Sequence, residues 1–240
     1  GGTGGLANHG PNSILYNPAL LATSSDNWIE ASYTAWISNT SFQYAGASWI
    51  GRRATFGIAL QRSSVGELQA RTQPGPASGT FSAENLMITA GFARRLGSVA
   101  LGASVSALRQ EIFQYRASGF SFSAGAWAPL LDDRLQFGVS IEHVGELDAL
   151  DQTSTELPHR LRFSNKSHVL SLTINESRRF DLSSYIDVTK QLMSNAQDAV
   201  VHTGVEMSFN EEGGFRFGKE WKDTEQSFSA GLFLSTDRFG

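Results

Sequence analysis

The chain has 240 residues, of which 40% are hydrophobic and 18% are charged, and its net charge is −4. The negative balance argues against nucleic acid as a partner, and the lack of cysteine excludes disulfides, thiolate metal sites and a cysteine nucleophile. No apolar run is long enough for a transmembrane helix, and the 24 glycines and 16 phenylalanines favour β-structure.

The first residues differ in composition from the rest of the chain. Residues 1–10 are rich in glycine, and the apolar stretch that follows contains Asn17, Pro18, Ala19, Leu20 and Leu21. Because Pro18 would break a sheet ladder, this stretch is not a strand. We predict that residues 1–25 form a plug segment and that residues 26–240 form a separate β-domain. The motif Asn17-Pro18-Ala19 is assigned to plug folding or to ligand gating.

Apolar and polar residues alternate with a period of two from residue 27 onward. The alternation predicts 12 strands, most of 8 to 12 residues, at 27–38, 40–51, 53–62, 81–95, 98–109, 117–129, 134–144, 159–173, 179–190, 199–209, 214–221 and 226–235. A tilted strand needs about 9–11 residues to cross a bilayer, whereas an ordinary strand averages about 5–6. The lengths therefore favour an antiparallel outer-membrane β-barrel.

The connections between these strands alternate in length. Short turns are predicted at 51–53, 95–97, 131–133, 175–178 and 210–213, and longer connections at 63–80, 110–116, 145–158 and 191–198. Outer-membrane barrels have tight periplasmic turns and longer extracellular loops. The hairpins at 38–40 and 222–225 depart from this rule, because both should be long and are short.

The two faces of each predicted strand differ in residue size. One face carries bulky Phe, Leu, Ile and Val, and the other carries mostly Gly, Ser and Thr, with occasional charge. A soluble sandwich shows the same alternation, but its outer face is usually rich in Lys and Glu. The small residues suit a barrel interior into which another segment packs, and a soluble sandwich or barrel remains the alternative.

The tryptophans and the paired arginines fall at the ends of the predicted strands. We interpret the five tryptophans as an interfacial girdle rather than a stacking site for a ligand: Trp28, Trp36, Trp49, Trp127 and Trp221. Arg52-Arg53 and Arg94-Arg95 lie in short turns and are expected to be solvated turn charges rather than contacts to lipopolysaccharide.

No sequence motif indicates catalysis. The five histidines are scattered, and the chain lacks the phosphate-loop, nucleophile-elbow and zinc-protease patterns. Of the carboxylates near a histidine, Glu206 shares a strand face with His202, and we interpret the two as a polar pair that faces the interior of a barrel rather than as a catalytic pair. We predict no catalytic residue, no cofactor and no metal site, and an enzyme is the least favoured class.

The motifs of the chain, taken in order, resemble those of one family. They are Gly-Gly-x-Gly-Gly-Leu-Ala at residues 1–7, Pro-Asn-Ser-Ile-Leu-Tyr-Asn-Pro-Ala-Leu-Leu-Ala at 11–22, Gly-Thr-Phe-Ser-Ala-Glu-Asn at 79–85, Leu-Pro-His-Arg-Leu-Arg at 157–162 and Gly-Val-Glu-Met at 204–207. This order resembles the PorV/PorQ family of outer-membrane proteins, relatives of the FadL long-chain fatty-acid transporters, and it is nearest in pattern to the PorQ members.

The resemblance implies a fold and a role. The family has 14 strands, so residues 236–240 would open a thirteenth strand. Either the last two strands are missing or the barrel is smaller than the family's, and we favour the former. The implied role is that of a non-enzymatic accessory or partner-binding component of a type IX secretion or surface-assembly complex in the outer membrane. Its partners would be outer-membrane lipid and other secretion-complex proteins, bound at loops 63–80 and 145–158.

The alternative function is that of a FadL-like transporter of hydrophobic small molecules. That function predicts a continuous apolar pocket beneath Ile14, Leu15, Leu20 and Leu21, with a hydrophobic ligand or lipopolysaccharide as the partner. The assembly role predicts instead an interior packed shut by small residues and plug residues. The volume of the interior distinguishes the two, because a ligand pocket needs roughly 300 Å³ or more.

Overall fold

The computed structural model describes residues 3–7, 10–37, 39–70, 79–149, 155–175, 178–192, 199–210, 212–222 and 226–234. The described residues form a short α-helix (Gly4–Ala7), two 3-10 helices and thirteen strands. The 3-10 helices are Gly10–Leu15 and Pro18–Thr23. The strands are β1 (Trp28–Trp36), β2 (Thr40–Ile50), β3 (Thr55–Ala70), β4 (Gly79–Leu96), β5 (Val99–Ile112), β6 (Tyr115–Leu130), β7 (Leu135–Leu147), β8 (Thr155–Glu156), β9 (Arg160–Asn175), β10 (Arg178–Gln191), β11 (Val200–Phe209), β12 (Gly213–Trp221) and β13 (Gln226–Leu234).

The strands form one antiparallel up-and-down sheet. Each long strand pairs with the next long strand in the chain, and only the two-residue β8 lies off this path, beside β7. The prediction of an all-β chain with 12 principal strands is therefore confirmed. Within the described residues, β1 and β13 are each paired on one side only.

Strands β3 to β6 extend further than the sequence predicts at the end away from the short turns. β3 continues to Ala70 and β4 begins at Gly79, so most of the predicted long connection 63–80 is strand. The predicted connection 110–116 is a tight turn, because Ile112 pairs with Tyr115 across residues 113 and 114. The expected short-long alternation is thus wrong at this hairpin. The residues 71–78, 150–154, 193–198 and 235–240, which include the cores of three predicted connections and the expected thirteenth strand, lie outside the described residues.

The two faces of the sheet differ in burial, because bulky apolar side chains on one face are exposed and small or polar side chains on the other are buried. On β5 and β6, Val105 and Phe122 lie opposite each other and are 40% and 61% exposed. The neighbouring pair on the other face, Ser106 and Ser121, is 3% and 0% exposed. The same contrast recurs along the sheet, with Ala59, Thr89 and Ser140 buried and Ile58, Ile88 and Ile141 exposed.

The N-terminal segment, residues 3–7 and 10–24, lies on the face that carries the small residues. Its helices contact β1 to β7, β9 and β10. The first 3-10 helix contacts β1. Tyr16 follows this helix, and its ring centre lies 5.4 Å from the guanidinium carbon of Arg162 on β9. In a flat sheet β1 and β9 would be about 34 Å apart, whereas a six-residue 3-10 helix is about 12 Å long. The sheet therefore curves around the segment, with the small-residue face on its concave side.

Candidate functional site

The Asn-Pro-Ala motif holds the N-terminal segment against the middle of the sheet. Asn17 caps the second 3-10 helix: its side-chain oxygen accepts a hydrogen bond of 3.1 Å from the backbone N–H of Ala19. Its side-chain nitrogen donates a hydrogen bond of 3.1 Å to the carbonyl oxygen of Ala126 on β6. Pro18 occupies the first helical position, where its missing N–H costs nothing. One buried amide thus shapes the helix and joins it to the sheet.

The leucines that follow this motif form the two apolar cores of the concave side. Leu20 packs with Leu6 of the segment and with Ala100 and Trp127 of the sheet. Leu21 packs with Ile14, Ala59 and Ala93 in a second cluster. Ala19, Leu20 and Leu21 are all at most 1% exposed. The segment therefore supplies four of the five bulky side chains of these clusters, and the strands supply Trp127 and three alanines.

Glycines on the strands create the space that the segment occupies. A Cβ added to Gly102 of β5 would lie 2.5 Å from the backbone nitrogen of Ala19, closer than real Cβ atoms come. A Cβ at Gly57 of β3 would meet Leu21, and one at Gly138 of β7 would meet Asn17, each at 3.0 Å. The sheet glycines therefore allow direct approach of the segment backbone and of the Asn-Pro-Ala motif.

A buried ion cluster anchors the start of the segment. Arg162 of β9 donates hydrogen bonds of 2.7 Å to Glu142 of β7 and 2.9 Å to Asp187 of β10, and all three side chains are at most 3% exposed. The same oxygen of Asp187 accepts a hydrogen bond of 2.9 Å from the backbone N–H of Gly5. One buried cation with two carboxylates leaves a local excess of negative charge. Arg160 offsets part of this excess through an ion pair of 3.6 Å with Glu142. The cluster thus links three strands to the segment.

Sequence reasoning missed this cluster, although a pattern in the sequence could have indicated it. Glu142 shares strand parity with the buried Ser140, and Asp187 shares parity with the buried Ser183. A charge at a position of the small-residue face must be buried, and it then needs a partner of opposite charge nearby. The pairing register that brings Arg162 next to both carboxylates was the missing information.

A cavity of about 640 Å³ lies between the segment and strands β1 to β5. Asn12 and Tyr16 of the segment contribute to its lining, together with Leu147 at the end of β7 and Leu157 just before β9. Its wall combines apolar groups with amides and with Arg62, which forms an ion pair of 2.7 Å with Glu84. None of Ile14, Leu15, Leu20 and Leu21 lines it. The cavity therefore lies beside Tyr16, at the ends of the strands away from the short turns.

The predicted girdle tryptophans occupy different environments. Trp127 is 5% exposed, packs on Leu20, donates a hydrogen bond of 3.3 Å to Gln136 and lies 5.2 Å from the guanidinium carbon of Arg95. The girdle expectation is not met for Trp127, because its side chain is on the concave face with Gly125 and Ser123. The other four are 45% to 65% exposed and lie at or next to strand ends: Trp28, Trp36, Trp49 and Trp221.

Neither a metal centre nor a membrane-spanning helix is found in the part of the chain that the structure describes. No three His, Asp or Glu side chains there are grouped so that they could hold a metal ion. None of the described helices has the length and apolar character to cross a membrane. Comparison with known proteins finds no protein-family model that matches the chain and no curated protein with significant similarity.

Proposed function

We propose that this chain is an outer-membrane β-barrel whose interior is occupied by its N-terminal segment. The observation that carries the proposal is the exposure of the apolar face together with the burial of the small and polar face. In a soluble sandwich the apolar face would be covered by a second sheet. Lipid is the solvent in which such a face is stable, and strands of 9 to 18 residues are long enough to cross it.

The barrel's interior supports a role in assembly rather than conduction. The segment fills the concave side with two apolar cores and a buried ion cluster, and side-chain and backbone contacts fix it to many strands. In the proposed barrel, a segment held in this way obstructs the pore and leaves the cavity of about 640 Å³ beside it. Together with the resemblance to the PorV/PorQ family, this supports a non-enzymatic accessory component of a secretion or surface-attachment complex.

The partner-binding surface in this proposal is at the end opposite the short turns. There the β3–β4 hairpin continues past its neighbours, because the pairs from Leu68 with Phe81 to Ala70 with Gly79 have no counterpart on β2 or β5. Phe113, in the adjacent turn, is 65% exposed and contacts Phe81 edge-on. Free strand edges and exposed aromatic rings are groups that partner proteins use.

The cavity beside Tyr16 favours a second function, the binding of a hydrophobic small molecule. At about 640 Å³ it exceeds the roughly 300 Å³ that a ligand pocket needs. The transporter hypothesis predicts a cavity that extends beneath the apolar residues of the segment, and this cavity does not extend there. The geometry therefore supports a binding pocket on one side of a closed segment better than a continuous path.

The two functions are distinguished by the proteins and lipids that co-purify with the chain. The tagged full-length protein would be isolated from gently solubilised native outer membrane, and both its proteins and its lipids would be identified by mass spectrometry. The assembly role predicts stoichiometric recovery of a large translocon or surface-attachment partner. An isolated barrel that carries a defined lipid or fatty acid would contradict that role and support the binding function.

A matched pair of variants connects the result to the surfaces described above. Phe113→Ser removes the exposed ring at the β3–β4 end, and the assembly role predicts that it lowers partner recovery. Met87→Trp fills the cavity from β4 and should lower only the recovery of a bound small molecule.

A further inference from the structure

One end of the sheet carries a cluster of four arginines that form no ion pair with the described residues. Arg52 and Arg53 lie in the turn between β2 and β3, and Arg94 and Arg95 lie at the end of β4. β3 and β4 are paired up to Thr55 and Ala93, so the four arginines continue from neighbouring strands. All four are exposed. We call these four residues the arginine patch.

The strands that carry the arginine patch bring no acidic residue to this end, although Asp132 and Asp133 lie at the same end in the turn between β6 and β7. The halves of β2 to β5 that adjoin it, residues 43–61 and 87–108, contain four arginines and no Asp or Glu. None of the four forms an ion pair with a described residue, and Asp26, at the same end, accepts a hydrogen bond only from Ser25, at 2.7 Å. At the other end of the same strands the arginines are paired, Arg62 with Glu84 and Arg109 with Glu111. The positive charge is thus specific to one end.

The arginine patch borders directly on the exposed apolar face. Arg94 shares its strand face with Phe92, which is 50% exposed, and lies opposite Leu101, which is 47% exposed. Trp49, two residues before the turn, stacks on Phe56 with the ring centres 6.0 Å apart. An apolar band, then aromatic rings, then guanidinium groups is the order in which a bilayer presents acyl chains, interface and phosphates.

We propose that the arginine patch binds the phosphates of anionic phospholipids in the leaflet at the short-turn end. The inference rests on the proposed insertion of the sheet in a membrane. Arginine forks match phosphate oxygens in paired hydrogen bonds, and none of the described residues forms an ion pair with these arginines. Arg95 contributes charge while stacking on Trp127. An acidic protein would complement the charge too, but it would not account for the adjoining apolar face.

The test measures lipid preference in protein that has already inserted. The full chain is refolded into nanodiscs of phosphatidylcholine with either phosphatidylglycerol or cardiolipin, insertion is verified by heat-modifiable electrophoretic mobility, and retained lipids are counted by native mass spectrometry. Each basic residue near an anionic surface strengthens binding about fivefold. We expect the parent to prefer the anionic lipid by more than about tenfold, and added salt to reduce that preference.

Variants connect the preference to the arginine patch. Replacing Arg52, Arg53 and Arg94 together by Gln should remove most of the preference, whereas Arg116→Gln, at the opposite end and paired with Glu111, should leave it unchanged. Equal retention of anionic and neutral lipid by the inserted parent would overturn the inference while leaving the proposed barrel intact. A stronger preference for lipopolysaccharide would also overturn it, since that lipid belongs to the other leaflet. Failure to insert would refute both proposals.

Discussion

Gly102 provides the sharpest test of how the N-terminal segment is packed, because a single methyl group should displace it. In Gly102→Ala the new Cβ would lie 2.5 Å from the backbone atoms of Ala19 and Pro18, where carbon contacts are normally about 3.5–4.0 Å. The obstacle is backbone rather than a movable side-chain tip, so the segment must retreat by about 1 Å. Overpacking of this kind costs about 1–3 kcal/mol.

The displacement can be measured because the chain has no cysteine of its own. Ser13, on the first 3-10 helix, is 0% exposed, and Ser13→Cys adds a thiol that a maleimide reaches only when the segment opens. If opening is rapid and reversible, the cost above raises the labelling rate of Gly102→Ala by about 5- to 150-fold.

A glycine that touches nothing is the control for this experiment. Gly231 on β13 has no atom within 4 Å of a Cβ position, so Gly231→Ala should label at the parent rate. Equal labelling of both variants and the parent would refute the close approach of the segment to β5.

Three further substitutions test the anchor, the cap and the outer face. Arg162→Gln leaves Asp187 buried without its cation and should lower the free energy of unfolding by about 3–5 kcal/mol, measured by urea denaturation. Asn17→Ala removes a helix cap and the bond to β6, and should cost about 1–2 kcal/mol and speed amide exchange at Ala19. Val105→Lys puts a charge on the exposed apolar face. If that face lies in lipid, the substitution should destabilise the inserted protein by about 2–4 kcal/mol and lower the yield of refolding into lipid vesicles.

Each of these variants has an outcome that would contradict the reasoning. Arg116→Gln removes an exposed ion pair and should lower the free energy of unfolding by less than about 1 kcal/mol. If Arg162→Gln lowered it by no more than that, the buried cluster would not stabilise the fold. Unchanged exchange at Ala19 would show that the Asn17 amide does not hold the helix. A gain in aqueous solubility with full folding in Val105→Lys would favour a soluble protein.

The alternation of residues was sufficient to predict the strands, and its failures have local physical causes. The end of β3 was missed because the register shifts between Val65 and Leu68, where Glu67 adopts a φ of 54°, so the period of two is interrupted. The β5–β6 turn is shorter than the predicted connection 110–116, because charged residues of that stretch belong to the two strands. Those residues are a cross-strand pair, Glu111 opposite Arg116, and their charges stabilise the hairpin.

The candidate site was predictable in part. The motif at Asn17 drew attention to the segment, and the small residues on the strands indicated that something packs against them. The partners of that motif, Ala126 and Gly102, depend on which strands the curved sheet brings to the segment, and composition does not encode this. Trp127 could have been assigned from parity, because it shares a face with Gly125 and Ser123 rather than with Phe122.

The measurement that tests the central claim most directly is a nitroxide scan of residues 100–107 on β5 in lipid bilayers. One cysteine at a time is introduced into the cysteine-free chain, and its spin label is compared for collision with oxygen, which dissolves in lipid, and with a water-soluble nickel complex. We expect high oxygen accessibility at 101, 103, 105 and 107 and low accessibility to both reagents at 100, 104 and 106. Position 102 is left as glycine, because a side chain there would displace the N-terminal segment. High accessibility to the nickel complex at the odd positions would contradict the claim that the apolar face of the sheet lies in lipid.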